Sequence, residues 1–227
     1  MHIVLIIAVF FLVILGPQYW ARRTFARYND DLPHMPGTGG ELAKHLVERF
    51  ELTGVRVEIT EQGDHYDPQA KAVRLSESNY KGKSLTAVAV AAHEVGHAIQ
   101  DKEDSPLLRN RTRLVQFAQF TDKAGSIAML GLPVATLITR SPSITALMLF
   151  LGVSSMLVSA LVHLITLPVE IDASFKKALP ILKQGRYINP EDERAVSKIL
   201  KAAAYTYVAA SLAGILNLAR WIAVLRR

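Results

Sequence analysis

Within the apolar stretch AHEVGHAI, Ala92–Ile99, three side chains can do chemistry. His93 and His97 are four residues apart, so on a helix they lie one turn apart on one face. Two imidazoles so placed can hold one Zn²⁺ per chain, with bonds to nitrogen of about 2.0–2.1 Å. Glu94 sits beside that position without ligating it. It can take a proton from the attacking water and later pass it to the leaving amine, and the ion makes that water acidic enough to react near neutral pH. This is the H-E-x-x-H arrangement of metalloproteases. With only seven histidines in 227 residues, chance produces such a match in roughly 1% of chains. A buried His-Glu-His group without a metal would be costly to desolvate.

A catalytic zinc takes a third protein ligand and keeps one position open. The segment TLPVEIDAS, Thr166–Ser174, offers Glu170 and Asp172. Residues two apart point to nearly opposite helix faces, so only one of the two is expected to ligate. His163, two turns before Glu170, is a reserve ligand, because a polar residue inside an apolar span is a functional candidate. His65, Tyr66, Tyr80 and Tyr187 could stabilise a developing oxyanion, although surface or packing roles suit each of them as well. His2, His34 and His45 have no nearby partner legible in the sequence.

These residues need elements to position them. Thr38-Gly-Gly-Glu41 has the spacing of a capping box and opens a helix through about Phe50. Val55–Thr60 alternates as a strand. Gln62–Pro68 reads as a turn, and Ala72–Leu75 as a second strand pairing back. Ser84 caps the helix that runs through Gln100 and carries the motif, with Gly96 leaving its backbone open to close packing. A further helix starts near Pro106. Pro168 opens a fresh helical turn that puts Glu170 near its start. Asn189-Pro190 reads as another helix start, with acids against the positive end of the dipole.

Half of the chain is hydrophobic, and the apolar residues cluster. Four segments are candidates to cross a bilayer: His2–Trp20, Ala124–Thr139, Ser141–Val169 and Ala202–Ala219. A crossing helix needs about 20 residues. The first has no cationic n-region and no small-residue cleavage site, so it reads as an uncleaved anchor. The net charge of +6 comes from Lys and Arg beside the apolar runs, which is the pattern of membrane topology and not of a nucleic-acid partner. Positive-inside placement puts residues 21–123 and 170–201 in the cytosol. With two crossings between them, His97 and Glu170 lie on the same side. There is no cysteine, which excludes a disulfide framework, a zinc ribbon and a thiol nucleophile.

The stretches GDHYDPQAKAVRLSESNYKGKSLTAVAVAAHEVGHAIQ and LPVEIDASFKKAL, with the N-terminal apolar segment, resemble the YugP-like neutral zinc metallopeptidases of bacterial membranes. The resemblance covers nearly the whole chain. It implies a gluzincin-type membrane peptidase, distantly like the HtpX and CAAX-prenyl-protease group. Carried over, His93, His97 and Glu170 are zinc ligands and Glu94 is the general base. The wider group tends to have an aspartate four residues after the ligand glutamate. Here that position is Ser174 and the aspartate is Asp172, so Asp172 is a candidate partner of a ligand histidine. The resemblance also implies that Ala72–Leu75 is an edge strand able to pair with extended substrate.

The expected fold is a mostly α membrane protein, with about four transmembrane helices and a small α+β zincin-like domain holding a short antiparallel sheet. The expected division is an anchor over 1–21, the catalytic domain over 22–123, two transmembrane helices over 124–169, a cytosolic helical segment over 170–201 and a last transmembrane helix over 202–227. The expected partners are the lipid bilayer and a protein or peptide substrate. The expected function is a zinc-dependent endopeptidase of membrane or membrane-adjacent proteins in a bacterial cell membrane. The alternatives are a non-catalytic zinc-binding membrane scaffold and a site-2-type intramembrane protease. The motif helix, bounded by Lys83 and Asp101-Lys102, is too short to span, which weighs against the last.

Overall fold

In the computed structural model, residues 16–225 are described, with side chains described to Ala209 and again at Ser211. The His2–Trp20 segment therefore lies outside the described residues as far as Leu15. Residues 16–27 are helical (α1). Thr38 caps α2, Gly39–Arg49, and Glu41 completes the capping box, so both ends of the sequence signal are used. Three strands follow, β1 Arg56–Ile59, β2 His65–Asp67 and β3 Ala72–Leu75. Then come α3 Glu77–Lys81, α4 Leu85–Lys102, α5 Pro106–Thr139 and α6 Pro142–Ile165. After α7, Leu167–Ile171, a π-helix spans Asp172–Ala178, and α8 covers Leu179–Gln184. The chain ends in α9, Glu193–Leu225. Its start falls after a turn over residues 190–192 and not at Asn189-Pro190.

The sheet departs from the expected antiparallel one. Its order is β1-β3-β2, with β1 parallel to β3 and β2 antiparallel to it. The run read as a turn at Gln62–Pro68 contains β2, and β3 inserts between the other two strands. Ala72–Leu75 is thus the central strand and not an edge, so it has no free ladder for a substrate peptide. Its burial explains the placement: Ala72, Val73 and Leu75 are fully buried, whereas β1 is half-buried to exposed. A strand paired at both edges suits the apolar Ala72, Val73 and Leu75, with Arg74 partly exposed. Arg74 is held beside it by Glu58 and Asp67.

The chain forms two compact units. One comprises residues 16–109 and 168–206. Its core joins Leu42 and Leu46 of α2, Val73 and Leu75 of β3, the Ala/Val face of α4, Leu182 of α8, and Val196, Ile199 and Leu200 of α9. Tyr66 of β2 lies in this core and donates to Asp101 on α4 at 2.7 Å. Burial and that bond hold its phenol well above the usual tyrosine range. It is therefore a packing residue, as one of its two sequence readings allows.

The other unit contains Asn110–Leu167 and the chain from Tyr207. A Cβ added at Gly125 would meet Ser155, and one at Gly152 would meet Met129, so α5 and α6 approach through small residues. The outer faces carry bare apolar side chains, including Leu130, Leu137, Ile138 and Phe150.

Four transmembrane helices are not what the structure supports. Among the described residues, one helical run, Pro142–Gln184, is long and apolar enough to cross a membrane. Ala124–Thr139 is the tail of α5. At 1.5 Å per residue, 16 residues cover about 24 Å, less than the ~30 Å hydrocarbon core, and Asp122 and Lys123 precede them. Ala202–Ala219 continues α9, whose first turns are core: Ala202 and Ala204 are buried.

Candidate metal centre

The motif helix α4 begins where Ser84 accepts the backbone N–H of Ala87. Its Ala-rich sequence lets neighbours approach from every side, and nearly all of it is buried. His93 and His97 present their rings to each other edge-on, with centroids 4.7 Å apart. Glu94 lies alongside, and the ligand atoms of His93, Glu94 and His97 all fall within 4.8 Å of one another. Those three form a group able to hold a metal ion.

Opposite α4 sits the segment α7–π-helix. Thr166 ends α6 as its C-cap, α7 begins at Leu167 with Pro168 in its first turn, and Glu170 emerges from it completely buried. Its Oε2 is 3.3 Å from His93 Nε2 and 3.2 Å from His97 Nε2. Donor atoms bonded at about 2.0–2.1 Å to one tetrahedral ion stand about 3.3–3.4 Å apart. The carboxylate oxygen already stands at about that spacing from each imidazole nitrogen, and two imidazoles with a carboxylate are the donor set of a zinc site. A buried carboxylate also needs positive charge beside it, which a divalent ion supplies.

The two helical segments meet because position 96 has no side chain. A Cβ at Gly96 would lie 2.9 Å from the Ala173 carbonyl and 3.3 Å from Lys177 Cβ. In a free helix Gly→Ala stabilises by about 1 kcal/mol. Here the overpacking costs about 1–3 kcal/mol, and the atom in the way is backbone. Gly96→Ala is therefore expected to lower both thermal stability and zinc affinity, because the segment pushed aside carries Glu170. Differential scanning calorimetry and chelator competition read the two effects. A variant that is more stable and binds zinc as tightly would refute the account.

The structure separates the roles of the residues singled out in the sequence. Glu170 faces the imidazoles, while Asp172 turns away to accept from Gln100 Nε2 at 2.7 Å. Their opposite directions follow from the two-residue spacing. Ser174 Oγ shares a hydrogen bond of 3.0 Å with His93 Nδ1, so the position four after Glu170 does touch a histidine. Gln100 Oε1 lies 2.9 Å from His97 Nδ1. Gln100 was not legible as a site residue, though a clue was there: it is a polar residue in an apolar helix, three positions after His97 and on the same face. A π-helix at this place has the usual association of such bulges with functional sites.

The remaining histidines and tyrosines do other work. His163 tilts against Tyr207, with ring centroids 6.3 Å apart. His65 Nδ1 bonds the Gly63 carbonyl in its own turn. His34 meets Asp192 at 3.2 Å. Tyr187 hydroxyl is bonded by Arg49 and paired with His45, each at 2.7 Å. Tyr80 lies under Lys44. His2 lies outside the described residues.

A family model described as "Putative neutral zinc metallopeptidase" matches residues 3–226. "Putative membrane protease YugP" of Bacillus subtilis (strain 168) is 35% identical over 218 residues, which cover 92% of this chain and 92% of that protein. No solved structure matches.

Proposed function

The chain belongs to the neutral zinc metallopeptidase family, and from that premise we propose that it is a membrane-associated, zinc-dependent endopeptidase acting on membrane or membrane-adjacent proteins. The observation that carries the reading is the convergence of His93 Nε2, His97 Nε2 and Glu170 Oε2 within 3.2–3.3 Å contacts in a buried site. In this reading those three side chains hold one zinc ion, in the gluzincin manner. When bound, zinc lowers the pKa of a water and polarises the substrate carbonyl.

The protein's own groups supply the rest. Glu94 accepts the proton of the attacking water and returns it to the amine of the leaving peptide, so one carboxylate serves as base and then acid. Its place on α4, one residue after His93, keeps it beside the metal-binding group. Ser174 and Gln100 fix the two imidazole rings from behind. The buried walls of α4 exclude bulk water, which strengthens each charge interaction inside.

Membrane association is supported by the run Pro142–Gln184. For orientation, Arg140 stands alone on one side of its apolar part, whereas Lys176, Lys177, Lys183 and Arg186 follow on the other. The positive-inside bias then favours the cytosolic side for the residues that carry Glu170.

Metal removal tests the proposal. The detergent-purified full-length protein is expected to cleave an unfolded, dye-labelled protein, to lose that activity when a zinc chelator strips it, and to regain it on addition of one equivalent of Zn²⁺. Cleavage that persists in the stripped protein would overturn the reading.

A further inference from the structure

We propose that Gln100 is a positioning residue: anchored by Asp172 and the Val169 carbonyl, it holds the proton of His97 on Nδ1 so that Nε2 is the nitrogen offered to the metal. The inference rests on the metal-centre reading above; it extends the ring contact of Gln100 to the choice of nitrogen and gives Asp172, which that reading leaves without a role, the task of holding Gln100 in place.

Gln100 is fully buried. Its Nε2 is 3.1 Å from the Val169 carbonyl and 2.7 Å from Asp172 Oδ2. A carbonyl and a carboxylate only accept, so the amide NH₂ must face them. The other end of the amide, Oε1, then faces His97 Nδ1 at 2.9 Å, and Oε1 only accepts. His97 Nδ1 must therefore carry the proton. Nε2 faces Glu170 Oε2 at 3.2 Å, a hydrogen-bonding distance, so with Nδ1–H held by Gln100 it is Nε2, on the carboxylate's side, that is offered to a metal ion. Without such a partner, a neutral imidazole in water favours the opposite form, with Nε2 protonated and closed to a metal.

His93 has no comparable constraint. Its Nδ1 partner is the Ser174 hydroxyl, which can donate or accept and so leaves either tautomer open. The two histidines are thus held differently, and the rigid one is His97. The anchors of Gln100 are Val169 and Asp172, the immediate neighbours of Glu170 on one side and two residues on. A single short segment therefore delivers the carboxylate and also sets which nitrogen of the facing imidazole is available. Outer partners of this kind typically change metal affinity by about 10–100-fold when removed.

Two readouts on the full-length protein test this. The first is the ¹⁵N spectrum of the histidines in the zinc-bound state, which reports directly which nitrogen of each ring carries a proton and which meets the metal. The second is zinc affinity by chelator competition. Gln100→Leu is expected to lose the single pattern of His97, with Nδ1 protonated and Nε2 on the metal, and to weaken zinc binding by about 10–100-fold, with His93 unchanged. Asp172→Leu removes one of the two anchors and should give a smaller loss of affinity with the same loss of the single pattern. Asp172→Asn keeps an acceptor oxygen for the amide and should retain both the tautomer and the affinity.

A folded Gln100→Leu protein with the wild-type tautomer and zinc affinity would overturn the proposal. So would an Asp172→Asn protein as impaired as Asp172→Leu, since the carboxylate charge would then act without the amide. If Gln100→Leu does not fold, the two Asp172 variants decide alone. A wild-type protein that binds no zinc sinks the metal-centre reading and this inference with it, whereas a Gln100→Leu protein that binds zinc as the wild type does sinks this inference alone, so the two failures are distinguishable.

Discussion

Glu94→Gln is expected to lower kcat for peptide hydrolysis by about 10²–10⁴-fold, the usual contribution of a positioned general base, with zinc retained at the wild-type level. The amide has nearly the shape of the carboxylate, so the buried surroundings of residue 94 are undisturbed. His93, His97 and Glu170 are untouched, and their spacing depends on α4 and α7, not on this side chain. What disappears is the ability to accept a proton. KM should change little, because Glu94 is assigned no contact with the ground-state substrate. Elemental analysis of the purified variant, together with steady-state cleavage, makes the measurement. Unchanged kcat at wild-type zinc content would place the base elsewhere. Loss of zinc would mean that Glu94, which lies within 4.8 Å of both imidazoles, is itself a ligand.

Glu170→Ala is expected to have the larger effect on the metal. Removal of an outer partner costs about 10–100-fold in affinity, and removal of a ligand should exceed the upper end of that range. The thermodynamic signature distinguishes a ligand from an ordinary core residue. Zinc bound to the folded state stabilises it by RT ln(1 + [L]/Kd), about 4 kcal/mol at a thousandfold excess over Kd. That increment should vanish in the variant, so that Tm no longer responds to added zinc. In the metal-free protein the sign reverses. Glu170 is a fully buried carboxylate whose desolvation is costly, so its loss should leave the metal-free Tm unchanged or raised. A residue that served only packing would show the opposite pattern: a lower Tm in both states and an undiminished zinc response. Zinc affinity equal to that of the wild type would remove Glu170 from the ligand set and leave Glu94 as the carboxylate to test.

Both variants probe residues that were legible before any coordinates. His93, Glu94 and His97 were found because helical periodicity is local: four residues on a helix return to the same face, whatever surrounds it. The caps at Thr38 and Ser84 were legible for the same reason, since each satisfies N–H groups within three residues. The resemblance to the zinc metallopeptidases was carried by these same local motifs and is upheld by the family match.

What tertiary structure decided is non-local. The order β1-β3-β2, with its parallel pair, could not be read from alternation, because a strand's sequence records that a face is buried and not which neighbour lies at its edge. The reach of the apolar segments misled in a related way. Ala202 and Ala204 are as apolar as lipid-facing residues, yet they are buried within the protein, and hydropathy does not distinguish one apolar environment from the other. The sequence by itself determined a candidate metal face with a carboxylate beside it, because such a face needs only one helix. The structure decided how that face is completed, by Glu170, Ser174 and Gln100–Asp172 across the contact that Gly96 permits, because hydrogen bonds between residues about 70–80 apart in sequence depend on packing that no local pattern encodes.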